Sequence, residues 1–251
     1  MIIVKTPEEI ERMREAGGLV ALILRALEEM VKPGIPLTRL DEEAERIIRE
    51  RHARPLFKGY RGYPSTICAS VNEQVVHGIP GHRLLKEGDI VSLDVGVSLN
   101  DYAGDAARTV PVGRISPEAR KLIDACRGAL ERATAAARSG AKLSDVSRAI
   151  QRHAESHGCS VVRAYTGHGI GRQLHEEPQV PNFVGPHGCG GNDPVLARGM
   201  TLAIEPMLNA GGHKVKVLQD GWTVVTEDGS LSAHFEETVA VADRGGDVLT
   251  K

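Results

Sequence analysis

The alternation of apolar and polar side chains between Asp89 and Val110 is the sharpest pattern in the chain. Val91, Leu93, Val95 and Val97 alternate with Ser92, Asp94, Gly96 and Ser98, a period of two that predicts a half-buried strand. A tight turn at 99–101 leads into a returning strand on which Asp105, Ala107 and Thr109 share one parity. A turn centred on Leu99-Asn100 sets Asp94 directly opposite Asp105, and one centred on Asn100-Asp101 makes them diagonal neighbours. In either register both carboxylates project from one face, where they repel unless a proton or a cation lies between them. The hairpin is half of a site, and the rest of the chain has to supply the other half.

Helical signals come in two pairs. Thr6-Pro7-Glu8-Glu9 combines an N-cap threonine, a proline at the first helical position and a glutamate at the capping-box position. It predicts a helix to about Met30, ahead of Pro33-Gly34, and Thr38 then caps a second helix through about His52. Residues 55–65 read as a loop, 66–71 as a short strand and 72–80 as a loop carrying His77. Ser116-Pro117-Glu118 repeats the start chemistry for a helix to about Arg138, and Ser144 caps another ending near His157-Gly158. A strand over 161–166 and a Gly/His-rich stretch follow. After them come a loop over 181–199, a strand over 200–208, a hairpin over 214–226 turning at Asp220-Gly221, and a strand over 234–242. The order helix, helix, strands therefore occurs twice. It predicts one α+β domain over residues 1–251, a pseudo-twofold antiparallel sheet backed by two helix pairs, with halves 1–112 and 113–251. A cleft between the halves is the natural place for a site.

Composition narrows the classes. A net charge of −2 leaves no electrostatic footprint for nucleic acid or an anionic membrane. The N-terminus lacks the basic and apolar regions of a signal peptide, and the apolar run 17–27 is broken by Arg25 and too short to span a bilayer. Cys68, Cys126, Cys159 and Cys189 lie far apart, which argues against a zinc ribbon and for a reducing, cytoplasmic setting. Aromatics are scarce, yet Phe57, Tyr60 and Tyr63 cluster, which suggests a local use.

Three further segments carry candidate chemistry: Thr166-Gly167-His168-Gly169-Ile170-Gly171 with His175 after it, Ala203-Ile204-Glu205-Pro206-Met207, and His234-Phe235-Glu236-Glu237-Thr238-Val239. Each alone has a plain structural reading as a turn histidine, a strand end or a solvated face. The glycine run lacks the Lys-Ser/Thr of a phosphate loop. Jointly, Asp94, Asp105, His168, Glu205 and Glu236 form an oxygen-rich set with one imidazole. That set suits Mn, Fe, Co or Zn in a two-metal site and is poor for a structural zinc.

Asn72-Glu73 leading to His77-Gly78-Ile79-Pro80, Asp94 with Asp105, Thr166 to Gly171, His175-Glu176-Glu177-Pro178, Glu205-Pro206 and Glu236 with Thr238-Val239 together resemble the methionine aminopeptidases of the short bacterial type, type I. The resemblance covers essentially the whole chain and implies the pita-bread fold. The short span between His175 and Glu205 leaves no room for the helical insert of type II enzymes.

The resemblance implies removal of the initiator methionine from nascent chains when the second residue is small, by a metal-activated water. It assigns Asp105 and Glu236 as bridges between two divalent ions (Co, Mn, Fe, Zn or Ni), Asp94 as a ligand to one, and His168 with Glu205 as ligands to the other. Glu205 is the implied proton acceptor and donor, His175 contacts the carbonyl oxygen and His77 the peptide nitrogen. Tyr60, Tyr63, Cys68 and Trp222 line the implied methionine pocket, as suits a thioether. A monovalent cation on backbone oxygens near Asn72, Gln74 and Ser232, a ribosome contact and a monomeric state are further implications. Phe57 stands where relatives often have Cys, and Leu174 where they often have Phe, so the pocket wall is expected to be reshaped. His234 stands where Gln is common, one strand repeat from Glu236. The run from Pro186 to Asp193 reads as a surface loop rather than a metal site. Competing readings are a proline-specific pita-bread peptidase, separable by turnover of Xaa-Pro peptides, and a non-catalytic binding module on the same fold, which would lack metal-dependent activity.

Overall fold

Thr6 starts the first helix by the chemistry its neighbours predict. In the computed structural model, which describes residues 1–185 and 193–251, its hydroxyl accepts the Glu9 N–H while the Glu9 carboxylate accepts the Thr6 N–H. The helices are α1 (Pro7–Met30), α2 (Leu37–Glu50), α3 (Pro117–Ala136) and α4 (Leu143–Ser156). Ser116 caps α3 as expected. Thr38 and Ser144 do not cap α2 and α4. They sit inside the first turn, and Pro36 and Lys142 hold the N-cap positions. The free N–H groups are satisfied by neighbouring chain instead. Leu37 and Thr38 donate to the carbonyls of Arg83 and Gly81, while Leu143 donates to the Pro194 carbonyl and Ser144 to Asp193 Oδ1. No local pattern encodes such partners. The same exchange recurs in each half: Gly34 N–H to Leu85 O with Leu85 N–H to Ile35 O, and Gly140 N–H to Leu196 O with Leu196 N–H to Ala141 O.

The expected single sheet is four hydrogen-bonded ladders among the described residues. One carries Arg54–Pro55 and Cys68–Val71 beside the long hairpin of Ile90–Leu99 and Tyr102–Pro111. The five-stranded sheet runs in the order Gly246–Val248, Glu237–Val241, Thr201–Ile204, Thr166–Gly169, Glu176–Pro181. Two three-stranded ladders complete the set, and one of them includes Gln74–Val76, inside the segment expected to be a loop. Glu176–Pro181 was hidden by its two prolines, which an edge strand tolerates.

Two expected strands are broken at site residues. The 200–208 segment divides into Thr201–Ile204 and Met207–Asn209, leaving Glu205-Pro206 between ladders. The 234–242 segment divides into Ser232–His234 and Glu237–Val241 around Phe235-Glu236. In both places the chain leaves one ladder for the next, and Pro206 lacks the N–H that would continue the first.

The hairpin turn settles the register. Leu99 pairs with Tyr102, and Asn100 and Asp101 have φ of 51° and 66°, the pair of positive angles of a two-residue type I′ turn. Asp94 thus pairs with Ala107 and Asp105 with Gly96, so the carboxylates are diagonal. Val91, Leu93, Val95 and Val97 pack against α1 and α2 in one core, and α3 and α4 cover Val161, Leu202, Ile204, Leu208 and Val239 in another. Helix α1 lies so close to the hairpin that a Cβ at Gly104 would fall 2.8 Å from the Gly17 nitrogen. The hairpin strand expected to be half-buried is covered on both faces, because the second half of the chain lies over its polar face.

The halves meet at Ala107 and Glu236, each donating its N–H to the other's carbonyl, at 3.3 and 3.0 Å. Two threonines clamp this junction reciprocally. Thr238 Oγ1 accepts the Asp105 N–H at 3.0 Å and donates to the Asp105 carbonyl at 2.8 Å. Thr109 Oγ1 accepts the His234 N–H at 2.9 Å and donates to the His234 carbonyl at 2.8 Å. With the Thr109 proton so used, Ser92 must donate in the 2.8 Å Ser92–Thr109 hydroxyl pair. Asp105 and His234 therefore hold equivalent places about the pseudo-twofold axis. Replacing Thr238 by Val leaves the buried Asp105 N–H and C=O without this partner, a loss of about 1–3 kcal/mol in urea-unfolding free energy, with Thr238→Ser retaining most of the stability.

Candidate metal centre

Five segments converge on one cavity of about 650 Å³. Asp94 and Asp105 come from the hairpin, His168 from the centre of Thr166–Gly169, and Glu205 and Glu236 from the two strand breaks. A strand break frees the side chain from the ladder's strict alternation, which is how Glu205 and Glu236 reach a wall shared with the hairpin. Ligand atoms of Asp105, His168 and Glu236 all lie within 4.8 Å of one another. His168 Nε2 is 3.9 Å from Asp105 Oδ2 and 3.7 Å from Glu205 Oε1. Asp94 lines the same cavity. Gly96, opposite Asp105, is required there: a Cβ would stand 2.6 Å from Phe57 Cε1 and 3.3 Å from Asp105 Oδ1. The Phe57 ring thus packs against the ladder beside the carboxylate.

This concentration of acid is electrostatically expensive. Burial pushes the Asp94 carboxyl up to about 7. Burial, then the charges of Asp94 and Glu205, raise Asp105 well above its ordinary range. Burial and Asp94 raise Glu205, and burial followed by Asp105, Glu205 and Asp94 raises Glu236. Burial, then neighbouring His175, lowers the His168 imidazole to about 3, so it is a neutral donor of a lone pair. His168 Nδ1 lies 2.9 Å from the Gly169 carbonyl, which fixes Nδ1 as the protonated nitrogen and turns the Nε2 lone pair toward the carboxylates. Asp94 Oδ1, Asp105 Oδ1 and Glu236 Oε1 are buried without a hydrogen-bond partner. Buried carboxylate oxygens without partners, facing a neutral imidazole, are a donor set that divalent cations fit.

The other expected residues surround this centre. His175 stands at the solvent-accessible mouth with its ring 4.3 Å from that of His168. Its Nδ1 is 2.9 Å from the Tyr60 hydroxyl, a partnership the sequence did not suggest. Desolvation within the cleft, then the Arg61 cation, hold its imidazole below the usual value. His77 has φ of 60° and packs edge-on to Tyr165 and Trp222, with burial, then His175, lowering it to about 4. Tyr63 and Trp222 meet edge to face at 5.1 Å, and Cys68 is buried beside them in the cavity wall. The Tyr63 hydroxyl is anchored on the carbonyls of Ile67 and Gly78, so it presents ring rather than hydroxyl. Asn72 and Ser232 are joined through the Ser232 N–H and the Asn72 carbonyl.

Lys5 is a contributor that sequence reasoning missed. Its ammonium is buried on Glu176 at 2.6 Å, tying the N-terminal segment to the residue after His175. Lys5 lies outside any periodic pattern, so nothing local marks it. The expected surface loop at 186–193 lies, but for Asp193, outside the described residues. No helix among the described residues is long and apolar enough to cross a membrane.

Comparison with known proteins agrees with the class that this fold and centre define. The profile of metallopeptidase family M24 matches residues 11–243, and the chain belongs to that family. Within it, the chain is 52% identical to methionine aminopeptidase 1 of Bacillus subtilis over the whole of both proteins. It is 51% identical to methionine aminopeptidase of Clostridium acetobutylicum over 100% of this chain and 99% of that one. The crystal structure of methionine aminopeptidase from Thermotoga maritima superposes with a TM-score of 0.95 at 46% identity, covering all of both chains. Prolidase from Pyrococcus furiosus shares the fold alone, with a TM-score of 0.78 at 23% identity, over 99% of this chain and 65% of that one. The relatives place the chain among the methionine aminopeptidases, with the pita-bread fold.

The raised carboxyls set a pH dependence for the metal-stripped protein. Asp94 holds its proton up to about pH 7 when folded, against about 3.9 in an unfolded chain. Its contribution is fully present below about pH 4 and is lost as pH rises through 7, because the folded state binds the extra proton. Thermal melts in chelator should fall by on the order of 5 °C between pH 4.5 and 7.5. Added Mn(II) should restore the loss most strongly at the upper end, where protons compete least.

Proposed function

We propose that this protein removes the amino-terminal methionine from polypeptides whose second residue is small. The observation that carries this reading is the buried carboxylate–imidazole cluster on the floor of a cavity whose wall is Tyr63, Cys68 and Trp222. Asp94, Asp105, His168, Glu205 and Glu236 would hold two divalent ions, with Asp105 and Glu236 shared between them. Such ions, whether Co, Mn, Fe, Zn or Ni, supply Lewis acidity toward the scissile carbonyl and lower the pKa of water.

The chain's own residues do the rest. Glu205, deep in the cavity, accepts the proton of the attacking water and returns it to the leaving amine. His175, held by Tyr60, donates to the oxygen that gains negative charge. His77, set against Tyr165 and Trp222, contacts the peptide nitrogen. The ring faces of Tyr63 and Trp222 and the Cys68 thiol receive the methionine thioether, while Tyr60 orients from the rim. Phe57 and the buried Leu174 shape the wall. Nascent chains, met at the ribosome in the cytoplasm, are the substrates this chemistry suits. A monomer suffices, since the chain itself supplies every residue named. The joined Asn72 and Ser232 segments, with Gln74 nearby, would hold a monovalent cation on backbone oxygens.

Metal-stripped protein given Mn, Fe, Co, Zn or Ni separately should regain release of methionine from Met-Ala peptides with at least one metal, and should leave Xaa-Pro peptides intact. Preferential Xaa-Pro turnover would move the assignment to a proline-specific peptidase, and no response to any metal would favour a binding module. Glu205→Gln and His168→Ala should each lower kcat/KM about 10²-fold or more. His175→Ala should lower kcat about 10²–10³-fold with a smaller change in KM, as expected for a group acting on the transition state.

A further inference from the structure

His234 is 1% exposed, and neither Nδ1 nor Nε2 has a hydrogen-bond partner. A folded protein rarely leaves a buried imidazole so, and each such group calls for a reason. Its backbone is fixed in both directions by Thr109, as that of Asp105 is by Thr238. The axis that pairs Ala107 with Glu236 therefore gives His234 the place in the second half that Asp105 holds in the first.

Its side chain faces the carboxylates. His234 Nε2 lies 3.7 Å from Glu205 Oε2 and 3.9 Å from Glu236 Oε2. The other oxygen of Glu205, Oε1, faces His168 Nε2 at 3.7 Å. Glu205 is thus flanked by two imidazoles, one at each oxygen. The tautomers must differ. His168 carries its proton on Nδ1, toward the Gly169 carbonyl, which leaves its Nε2 as a lone pair. For His234, a lone pair on Nε2 would face two carboxylates, whereas an N–H there is attracted to both. With no acceptor at Nδ1, nothing favours the opposite tautomer.

We propose that His234 is a positioning residue whose Nε2–H, 3.7 Å from Glu205 Oε2 and 3.9 Å from Glu236 Oε2 in this structure, closes to hydrogen-bond distance on the outer oxygen of Glu205, and in alternation on Glu236, to hold both carboxylates in the orientation that binds metal. This rests on the reading of Glu205 and Glu236 as metal ligands. Hydrogen bonds of this kind behind ligands are worth 10–100-fold in metal affinity.

The test compares His234→Leu and His234→Gln with the parent. Mn(II) binding to stripped protein is followed by the electron paramagnetic resonance of the free ion, and thermal melts are recorded in chelator. Leu should weaken Mn(II) binding about 10–100-fold while leaving the melting temperature of the stripped protein unchanged or higher, since only an unpaired polar group is removed. Gln, which restores an N–H donor, should bind within about threefold of the parent, this being the small residual expected of a conservative change. Unchanged Mn(II) affinity in the Leu protein overturns the proposal. So does a lowered melting temperature with intact affinity, the signature of a packing role. If the Leu protein does not fold, Asn takes its place with the same expectation, because its amide falls one methylene short. Binding is read without catalysis, so a parent that binds Mn(II) yet releases no methionine refutes the functional reading and leaves this one standing.

Discussion

The candidate metal centre depends on one junction, the antiparallel bridge between Ala107 and Glu236, while Gln74–Val76 pairs with Val224–Thr226 as a second tie between the halves. The bridge joins the hairpin of the first half to the five-stranded sheet of the second. A single bridge is a weak tie, and the reciprocal clamps by Thr109 and Thr238 strengthen it with four hydrogen bonds, all buried. Arg108 adds a third fastening. Its guanidinium donates to the carbonyls of Ala107 and Glu236 and pairs with Glu237. The residues so fixed are Asp105 and Glu236, which line the cavity, and His234, which lies behind its carboxylates. Register between the halves and geometry of the site are thus one property.

That junction also explains why the cluster persists. Burial raises the proton affinity of all four carboxyls, neighbouring carboxylate charge raises it further for Asp105, Glu205 and Glu236, and three of the four groups' oxygens have no partner. Isolated, such a group would relax outward toward water. Here the backbone on either side is pinned, and the helices of both halves close the opposite face of the sheets with apolar cores. Strain of this kind is kept where surrounding structure over-determines it, and it marks a place built to receive positive charge.

The two halves differ in what they contribute. The first gives a regular hairpin whose carboxylates obey strand alternation. The second gives residues at irregularities: Glu205 and Glu236 at strand breaks, and His175 on a connection tied to Lys5 through Glu176. Regular elements fix position, while breaks let a side chain be aimed independently of ladder parity. The mouth of the cavity accordingly comes from loops, and its floor from sheets.

The sequence by itself determined the period-two hairpin, the capping side chains and prolines that start α1 and α3, the doubled helix–helix–strand order, and the five candidate residues of the centre. These are local signals: alternation, cap chemistry and motif spacing act within a few residues, so a linear reading captures them. Tertiary structure alone decided the rest. The diagonal register of Asp94 and Asp105 followed from the turn at Asn100-Asp101, between two choices open in the sequence. The N-caps of α2 and α4 lie two residues ahead of Thr38 and Ser144 because distant carbonyls and Asp193 satisfy the first N–H groups. The strand breaks at Glu205 and Glu236, the Tyr60–His175 contact and the clamp of Thr109 on the His234 backbone arise from partners more than a hundred residues apart or from the exit of chain between ladders. Such pairings depend on which segments share space once both cores close, and no window along the chain contains both partners.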